Sequence, residues 1–216
     1  TLVQDLTFRD FHNPLARNEF IHSSTLQNQI LSNSYIQLNF TKDLRLRTTL
    51  GINRRDERVE QYQSSQYPLN QINDIPGSGN VEMNTHTALL TENTLTYDKS
   101  FSDKHKITLL GGITLQREQS DANITSSSNT LTDLLSVYGL GLSSPEFTNV
   151  DVNYDAFSLI SFIGRANYIF NDKYLLTLTA RRDGSSKFGT NNRYAFFPAV
   201  AFGWRLSDED FIRDLD

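Results

Sequence analysis

The 216-residue chain is long enough for one sizeable domain, and its composition excludes several classes of protein. It contains no cysteine, which excludes a disulfide scaffold and cysteine-based metal or redox chemistry. Its net charge of -5 argues against a nucleic-acid-binding protein, which normally carries a basic surface. No apolar run approaches the roughly 20 residues that a membrane-spanning helix needs.

Seven segments show the patterns of β-strands. In chain order they span residues 35–40, 44–53, 87–100, 106–116, 156–170, 176–181 and 199–206. In the second segment, one face carries Leu44, Leu46, Leu50 and Ile52, and the other carries Arg45, Arg47, Thr49 and Asn53. A helix would scatter these residues around its circumference, whereas a strand sorts them onto two faces. The third and fifth segments are less regular but rich in residue types that favour strands.

The length of these segments favours a membrane protein. Strands of soluble proteins usually stop at five or six residues, whereas a tilted membrane strand needs about 9–11. Several of the segments are about that long, and prolines fall between them or at the start of the last one (Pro14, Pro68, Pro76, Pro145, Pro198). The mean hydropathy of -0.45 does not exclude a membrane protein, because strands that alternate lipid-facing and lumen-facing residues average out as polar.

The connections between the segments alternate in length. Tight polar turns are predicted at residues 41–43, 102–104, 171–173 and 207–210, and long polar loops at Glu57–Met83, Asp121–Tyr154 and Asp183–Arg193. Short turns on one rim and long loops on the other are typical of bacterial outer-membrane barrels. Aromatic residues also crowd the short-turn ends, as expected for a girdle at a membrane boundary: Phe40, Tyr97, Phe101, Tyr168, Phe170, Tyr174 and Trp204.

These patterns predict an all-β fold, an antiparallel transmembrane β-barrel segment of about seven strands. An open sheet of seven strands would present two bare edges, which proteins avoid, so we expect these strands to belong to a larger barrel.

The segment Lys173–Phe211 resembles the barrel of the SusC/RagA family of TonB-dependent outer-membrane transporters of Bacteroidetes. The chain has the family's KYLLT strand, then Arg181-Arg182-Asp183-Gly184-Ser185-Ser186, with Lys187 where arginine is usual, and then Phe188-Gly189 and Gly203-Trp204-Arg205. Weaker similarities lie upstream at 13–16, 92–98 and 162–165. Ala199 in place of serine and Phe202 in place of a small residue are mild departures.

The resemblance implies that residues 1–216 form part of the C-terminal transmembrane β-barrel domain of a larger, plugged barrel, with the plug domain not within this chain. It also implies active import of a bulky nutrient, an oligosaccharide or a peptide. It implies that TonB supplies the energy through the plug region, which is absent from these residues. It also implies two partners, a SusD-like surface lipoprotein and outer-membrane lipid. We expect a multi-pass barrel in the outer membrane, with the long loops extracellular and the short turns periplasmic. A passive porin-like or structural barrel is the alternative.

No pattern points to an enzyme, a metal site or a cofactor. His12, His22, His86 and His105 lie far apart without a ligand spacing. The acidic run Ser207–Asp216 lacks the residues of a calcium loop and is better explained as a solvated turn. The segment Gly184–Gly189 lacks the Lys-Ser/Thr of a phosphate-binding loop, and no nucleophile elbow occurs.

Arginines on the polar faces of the strands are the candidate site residues. They are Arg45, Arg47, Arg165, Arg181 and Arg205. Two roles are open: pairing with acidic groups of a plug or of neighbouring strands, or contact with substrate. The long loops are the other candidate contact regions, because loops on a rigid scaffold carry recognition.

Overall fold

The computed structural model describes residues 14–213. The strands are β1 (Ile21–Asn39), β2 (Leu44–Gln63), β3 (Gly77–Ser102), β4 (His105–Thr130), β5 (Thr148–Phe170), β6 (Tyr174–Ser185) and β7 (Tyr194–Trp204). Short helices are α1 (Pro14–Phe20), α2 (Pro68–Asn73) and α3 (Asp210–Arg213), with 3-10 turns at Asp133–Leu142, Pro145–Phe147 and Leu206–Asp208. No helix within residues 14–213 is long and apolar enough to cross a membrane.

The seven strands form one sheet in the order in which they occur along the chain. This confirms the predicted all-β class, the number of strands and the antiparallel arrangement, in which each strand pairs with its sequence neighbours. His12, Asn13 and the end of the acidic run after residue 213 lie outside the described residues.

The register of the last three strands assigns each residue to a face. Leu178 lies opposite Ala166 and Val200, and Leu176 lies opposite Tyr168 and Phe202. These positions form what we call the apolar face. The alternate positions, such as Thr179 opposite Arg165, form the polar face.

The long loops are shorter than the sequence patterns predicted. β2 continues to Gln63 and β3 begins at Gly77, so the first loop spans residues 64–76 rather than 57–83. In the same way the second loop spans 131–147 rather than 121–154, and the third spans 186–193 rather than 183–193. The physical reason is that strand pairing continues where polar residues occupy both faces, so the apolar alternation ends before the strands do.

The chain divides into two compact units, each of which has its own organisation. The loop unit contains residues 14–30, 54–87 and 119–155, and the wall unit contains residues 31–53, 88–118 and 156–213. In the loop unit a small core of Tyr62, Val137 and Leu140 packs with Val81. In the described part of the wall unit no large apolar side chain is buried, and the buried side chains are those of Thr96 and Ser161.

Candidate functional site

The polar face of the wall unit holds a cross-strand cluster around Asp98. Arg45 on β2 places its guanidinium 2.5 Å from the Asp98 carboxylate, and Thr108 on β4 donates to the other carboxylate oxygen at 2.7 Å. Antiparallel pairing positions the three side chains side by side, because one face of each strand carries every second residue. Arg45 is therefore bound by a neighbouring strand of its own sheet.

Arg181 is fixed within β6 and by β5. Its Nε donates to Asp183 at 2.7 Å, and a terminal nitrogen donates to the buried hydroxyl of Ser161 at 3.1 Å. Asp183 lies two residues further along the strand, on the same face, so the strand period itself brings the charges together. Ser161 on β5 therefore contacts both Arg181 and Asp183.

Two further candidate arginines contact neutral partners. The Arg47 guanidinium lies over the ring of Tyr35, 3.9 Å from its centroid, in a cation–π contact. Arg165 donates from Nε to the hydroxyl of Thr179 at 3.3 Å. Neither arginine forms an ion pair with a carboxylate among residues 14–213.

Arg205 differs from the other four candidates in position. It follows the last residue of β7, and its backbone N–H donates to the carbonyl of Lys173 at 2.9 Å. It therefore lies at the short-turn end of the sheet, whereas Arg45, Arg47, Arg165 and Arg181 lie along strands β2, β5 and β6.

The Arg-Arg-Asp-Gly-Ser-Ser motif has a steric and hydrogen-bonding explanation. Gly184 lies opposite Tyr194, and a Cβ at Gly184 would lie 2.4 Å from a ring carbon of that tyrosine. The Arg182 guanidinium lies over the Tyr194 ring, 4.6 Å from its centroid. Ser186 closes the loop onto β5, because its hydroxyl accepts from the Ser158 N–H and its N–H donates to the Ser158 carbonyl.

Glu209, in the acidic run after β7, is a residue that the sequence patterns missed. Its carboxylate accepts hydrogen bonds from Tyr174 (2.7 Å), Trp204 (3.0 Å) and Lys173 (3.0 Å). These bonds from Tyr174, Trp204 and Lys173 lower the pKa of Glu209 to about 2. The interpretation of this run as a solvated turn is therefore wrong for Glu209. The signal that could have identified it is the family spacing of Gly203-Trp204-Arg205, Ser207 and Glu209.

The aromatic residues at the same end lie in a row. Ring centroids are 5.0 Å apart for His105 and Phe170, 6.2 Å for Phe170 and Tyr174, and 6.1 Å for Tyr174 and Trp204. Glu209 binds the polar edges of the last two rings while their faces stay on the apolar face of the sheet. The row thus presents apolar ring surface with polar edges towards the turns.

In the loop unit, the carboxylate of Asp133 connects two loops. Its oxygens accept from the Ser65 N–H (3.0 Å), the Ser65 hydroxyl (2.6 Å) and the Tyr62 hydroxyl (2.8 Å), and Tyr62 also contacts Thr130 at 2.8 Å. Burial raises the pKa of Asp133, but the bonds from Ser65 and Tyr62 offset this and leave the pKa below its ordinary value. The loops 64–76 and 131–147 are therefore connected through an ionised side chain.

A polar groove of about 820 Å³ lies in the loop unit. Its lining is mainly hydroxyl and amide side chains from the ends of the strands, with one cation, one imidazole and one carboxylate: Arg17, His22, Gln61, Gln63, Asn80, Ser126, Ser128, Glu146 and Asn149. Hydroxyl and amide groups both donate and accept hydrogen bonds, which suits ligands with many hydroxyl or peptide groups. The sequence patterns had assigned this region to long loops, whereas most of the groove is formed by strand residues.

The histidines take no part in a metal site within the described part of the chain, where no group of three possible ligands occurs. His86 contacts Ser120 at 3.0 Å, and His105 contacts the Tyr168 hydroxyl at 2.7 Å. His22 lines the polar groove.

Comparison with known proteins gives consistent matches. Two TonB-dependent receptors of Formosa agariphila are 30% and 32% identical to the chain over 202 and 209 residues, which is 94% of the chain in each case. The TonB-dependent receptor SusC of Bacteroides thetaiotaomicron is 44% identical over 59 residues, 27% of the chain and 6% of that receptor. No protein-family profile matches the chain.

The fold has solved counterparts. The RagAB peptide transporter superposes with a TM-score of 0.80 at 22% identity, over 89% of this chain and 21% of that chain. The RagAB peptide importer in its open-open state gives 0.80 at 24% identity, over 90% and 21%.

These comparisons and the strand meander define a wall segment of a TonB-dependent receptor barrel. The chain belongs to the SusC/RagA family of TonB-dependent receptors, as its motifs predicted. It spans about a fifth of the length of the first curated relatives that it matches, 20% and 19%. TonB-dependent receptors are outer-membrane β-barrels, and these relatives are receptors and transporters rather than enzymes, which supports a non-enzymatic role.

Proposed function

We propose that this chain forms part of the wall of an outer-membrane importer that takes up a bulky nutrient, an oligosaccharide or a peptide, with energy supplied through TonB. The observation that carries the proposal is the similarity to TonB-dependent receptors along 94% of the chain. A SusD-like surface lipoprotein is the proposed partner at the mouth of the barrel.

The contacts on the polar face support a lumen that handles solutes. The charges of Arg45 and Arg181 are balanced by Asp98 and Asp183, whereas Arg47 and Arg165 keep their charge for a passing group. The polar groove of the loop unit adds hydroxyl and amide groups suited to sugars or peptides.

The proposed orientation places the loops 64–76, 131–147 and 186–193 outside the cell and the short turns in the periplasm. Single cysteines test it in a receptor without other cysteines. Leu134 is 93% exposed, so L134C is expected to react with a membrane-impermeant maleimide on intact cells. Asp103 lies in an exposed short turn, so D103C is expected to react only after lysis, and the opposite result would invert the orientation.

Uptake measurements test the importer itself. Cells that carry the full-length receptor are given labelled oligosaccharide and peptide pools, with and without a functional TonB. We expect uptake of at least one pool to require both the receptor and TonB. Receptor-dependent uptake that continues without TonB would identify a passive barrel instead. R47Q and R165Q are expected to reduce uptake of anionic members of the pool, whereas K42Q, in an exposed short turn, serves as the matched control.

A further inference from the structure

A cleft of about 440 Å³ lies in the wall unit, formed by residues of β3 to β7 and the adjoining loop 186–193. The apolar residues that line it are Leu89, Leu115, Leu159, Ile160 and Tyr194. Gly184 pairs with Ile160 on one side and with Tyr194 on the other. Gly184, Ile160 and Tyr194 therefore lie on the same face as Leu178 and Val200. The cleft therefore opens on the apolar face, away from the polar groups that the proposed importer uses.

The edge of the cleft is cationic. Arg117 and Arg193 line it together with the hydroxyl residues Ser158 and Ser186, and none of its lining residues is acidic. Arg117 is exposed and has no ion pair within residues 14–213. Arg193 donates only a long bond of 3.4 Å from Nε to the Phe188 carbonyl, so its terminal nitrogens remain as donors.

A third arginine adjoins this edge, because Arg182 stacks on the ring of Tyr194 at 4.6 Å. Arg182 lies opposite Phe162 and Phe196 on the apolar face, and it forms no salt bridge within residues 14–213. Unpaired cations beside exposed leucine and tyrosine surface would be costly in hydrocarbon unless an anion accompanies them. The combination of free guanidinium groups and apolar lining is complementary to an amphipathic anion.

The height of Arg117 along β4 places its side chain at the far edge of the apolar band. His105 belongs to the aromatic row at the short-turn end, and Arg117 follows it by twelve residues on β4. At roughly 3.4 Å per residue this is about 40 Å along the strand, or about 30 Å along the barrel axis for a strand tilted by about 40°. The lipid-facing band of such barrels is about 25 Å tall, so Arg117 lies at its far boundary, where lipid head groups begin.

We propose that this cleft binds a phosphorylated acyl lipid of the outer membrane leaflet, with an acyl chain on Leu89, Leu115 and Ile160 and the phosphate between Arg117 and Arg193. A guanidinium binds phosphate oxygens with two parallel hydrogen bonds. This favours a lipid that carries a phosphate over a lipid without an anionic group. The placement in the outer leaflet rests on the orientation proposed above. The lipid would act as a ligand of the outer wall and not as transported cargo.

The first test measures lipid that stays bound to the purified full-length receptor. Native mass spectrometry in detergent is expected to detect a phosphorylated, multiply acylated lipid on the wild-type protein. R117Q and R193Q should each reduce its retention about tenfold, because each removes a charged hydrogen-bond partner of the phosphate. R55Q is the matched control, since Arg55 is an exposed arginine on the same kind of strand but does not line the cleft, and it should retain the lipid. Retention by the double variant R117Q/R193Q would overturn the proposal.

The second test separates the lipid from a free anion. Lipid-stripped receptor is offered diphosphorylated lipid A, the same lipid A without its phosphates, or inorganic phosphate. We expect binding of the first, binding about tenfold or more weaker for the second, and no competition by the third at equal concentration. Equal competition by inorganic phosphate would identify a small-anion site and overturn the lipid proposal, as would equal binding of the dephosphorylated lipid. Because neither test measures transport, a receptor that retains lipid but imports nothing would contradict the proposed function alone.

Discussion

The loop unit and the wall unit of this chain are stabilised in opposite ways. In the loop unit, Tyr62, Val137 and Leu140 are buried around a hydrogen-bonded carboxylate, as in a small soluble domain. In the wall unit, large apolar side chains such as Leu178 (46% exposed) and Val200 (72% exposed) stay on the surface. The difference indicates that the loop unit brings its own core, whereas the wall unit depends on lipid to cover its apolar face.

The largest expected effect tests the apolar face. Leu109 is exposed on the same face as Leu178, so L109R would place a charge in hydrocarbon at a cost of about 2–4 kcal/mol. T108R, one position away, falls on the polar face beside Asp98, where water and a carboxylate are available. We expect L109R to reduce the heat-modifiable, folded fraction in the outer membrane and T108R to leave it nearly unchanged.

Equal tolerance of L109R and T108R would show that the wall unit has no lipid-facing side. A full-length parent protein that remains folded and monodisperse without detergent or lipid would likewise contradict the statement that lipid covers the apolar face of the wall unit.

The second prediction tests the loop unit. D133A removes the acceptor of three hydrogen bonds from Ser65 and Tyr62 and leaves these donors without it, at about 1–3 kcal/mol. We expect faster hydrogen exchange in the segments 64–76 and 131–147 and no change in β6 and β7. D151A is the control, because Asp151 is exposed and accepts only from Asn153. Unchanged protection in D133A would show that the carboxylate does not connect the loops.

A third prediction concerns the close approach at Gly184. G184A places a methyl group against the Tyr194 ring, and overpacking of this kind costs about 1–3 kcal/mol. G164A is the matched control on the same face, since a Cβ there meets nothing within 4 Å. We expect a lower thermal midpoint for the full-length G184A receptor, restored in part by the additional change Y194A. A midpoint of G184A equal to that of G164A would contradict the steric explanation.

A fourth prediction uses pH at the short-turn end. Because the pKa of Glu209 is lowered to about 2, the stabilisation by its carboxylate is present above its ordinary pKa of 4.5. It is lost as the pH falls from about 4.5 to about 2. We expect the residues around Tyr174 and Trp204 to lose hydrogen-exchange protection in that range in the wild type, whereas E209Q should show little further loss. D210N, at an exposed neighbouring carboxylate, should behave like the wild type.

The smallest expected effect concerns the ion pair on the polar face. Arg45 and Asp98 are 46% and 37% exposed, and exposed ion pairs contribute only about 0–1 kcal/mol. R45Q should therefore change the thermal midpoint little and fold normally. A loss of stability comparable to that of L109R would mean that the polar face, like the loop unit, depends on a hydrogen-bonded charge shielded from solvent.

Much of the wall unit could be predicted from the sequence. The alternation in residues 44–53 predicted β2, and the motif at 181–186 predicted the family before any comparison. The loop bounds were wrong because β2 to β6 continue through polar residues in which no apolar alternation remains. The role of the candidate arginines stays a prediction, although the structure gives Arg45 and Arg181 acidic partners from their own sheet.

The strand class, the order of turns and loops, and the face on which each residue of the regular strands lies all follow from the sequence. These properties are local, because a period of two residues follows from the strand backbone alone. The contacts between residues far apart in sequence, such as Ser65 with Asp133 and Lys173 with Glu209, became known only from the folded chain. Such contacts depend on how loops close and on which strand ends meet, and neither is encoded in a repeating pattern of polar and apolar residues.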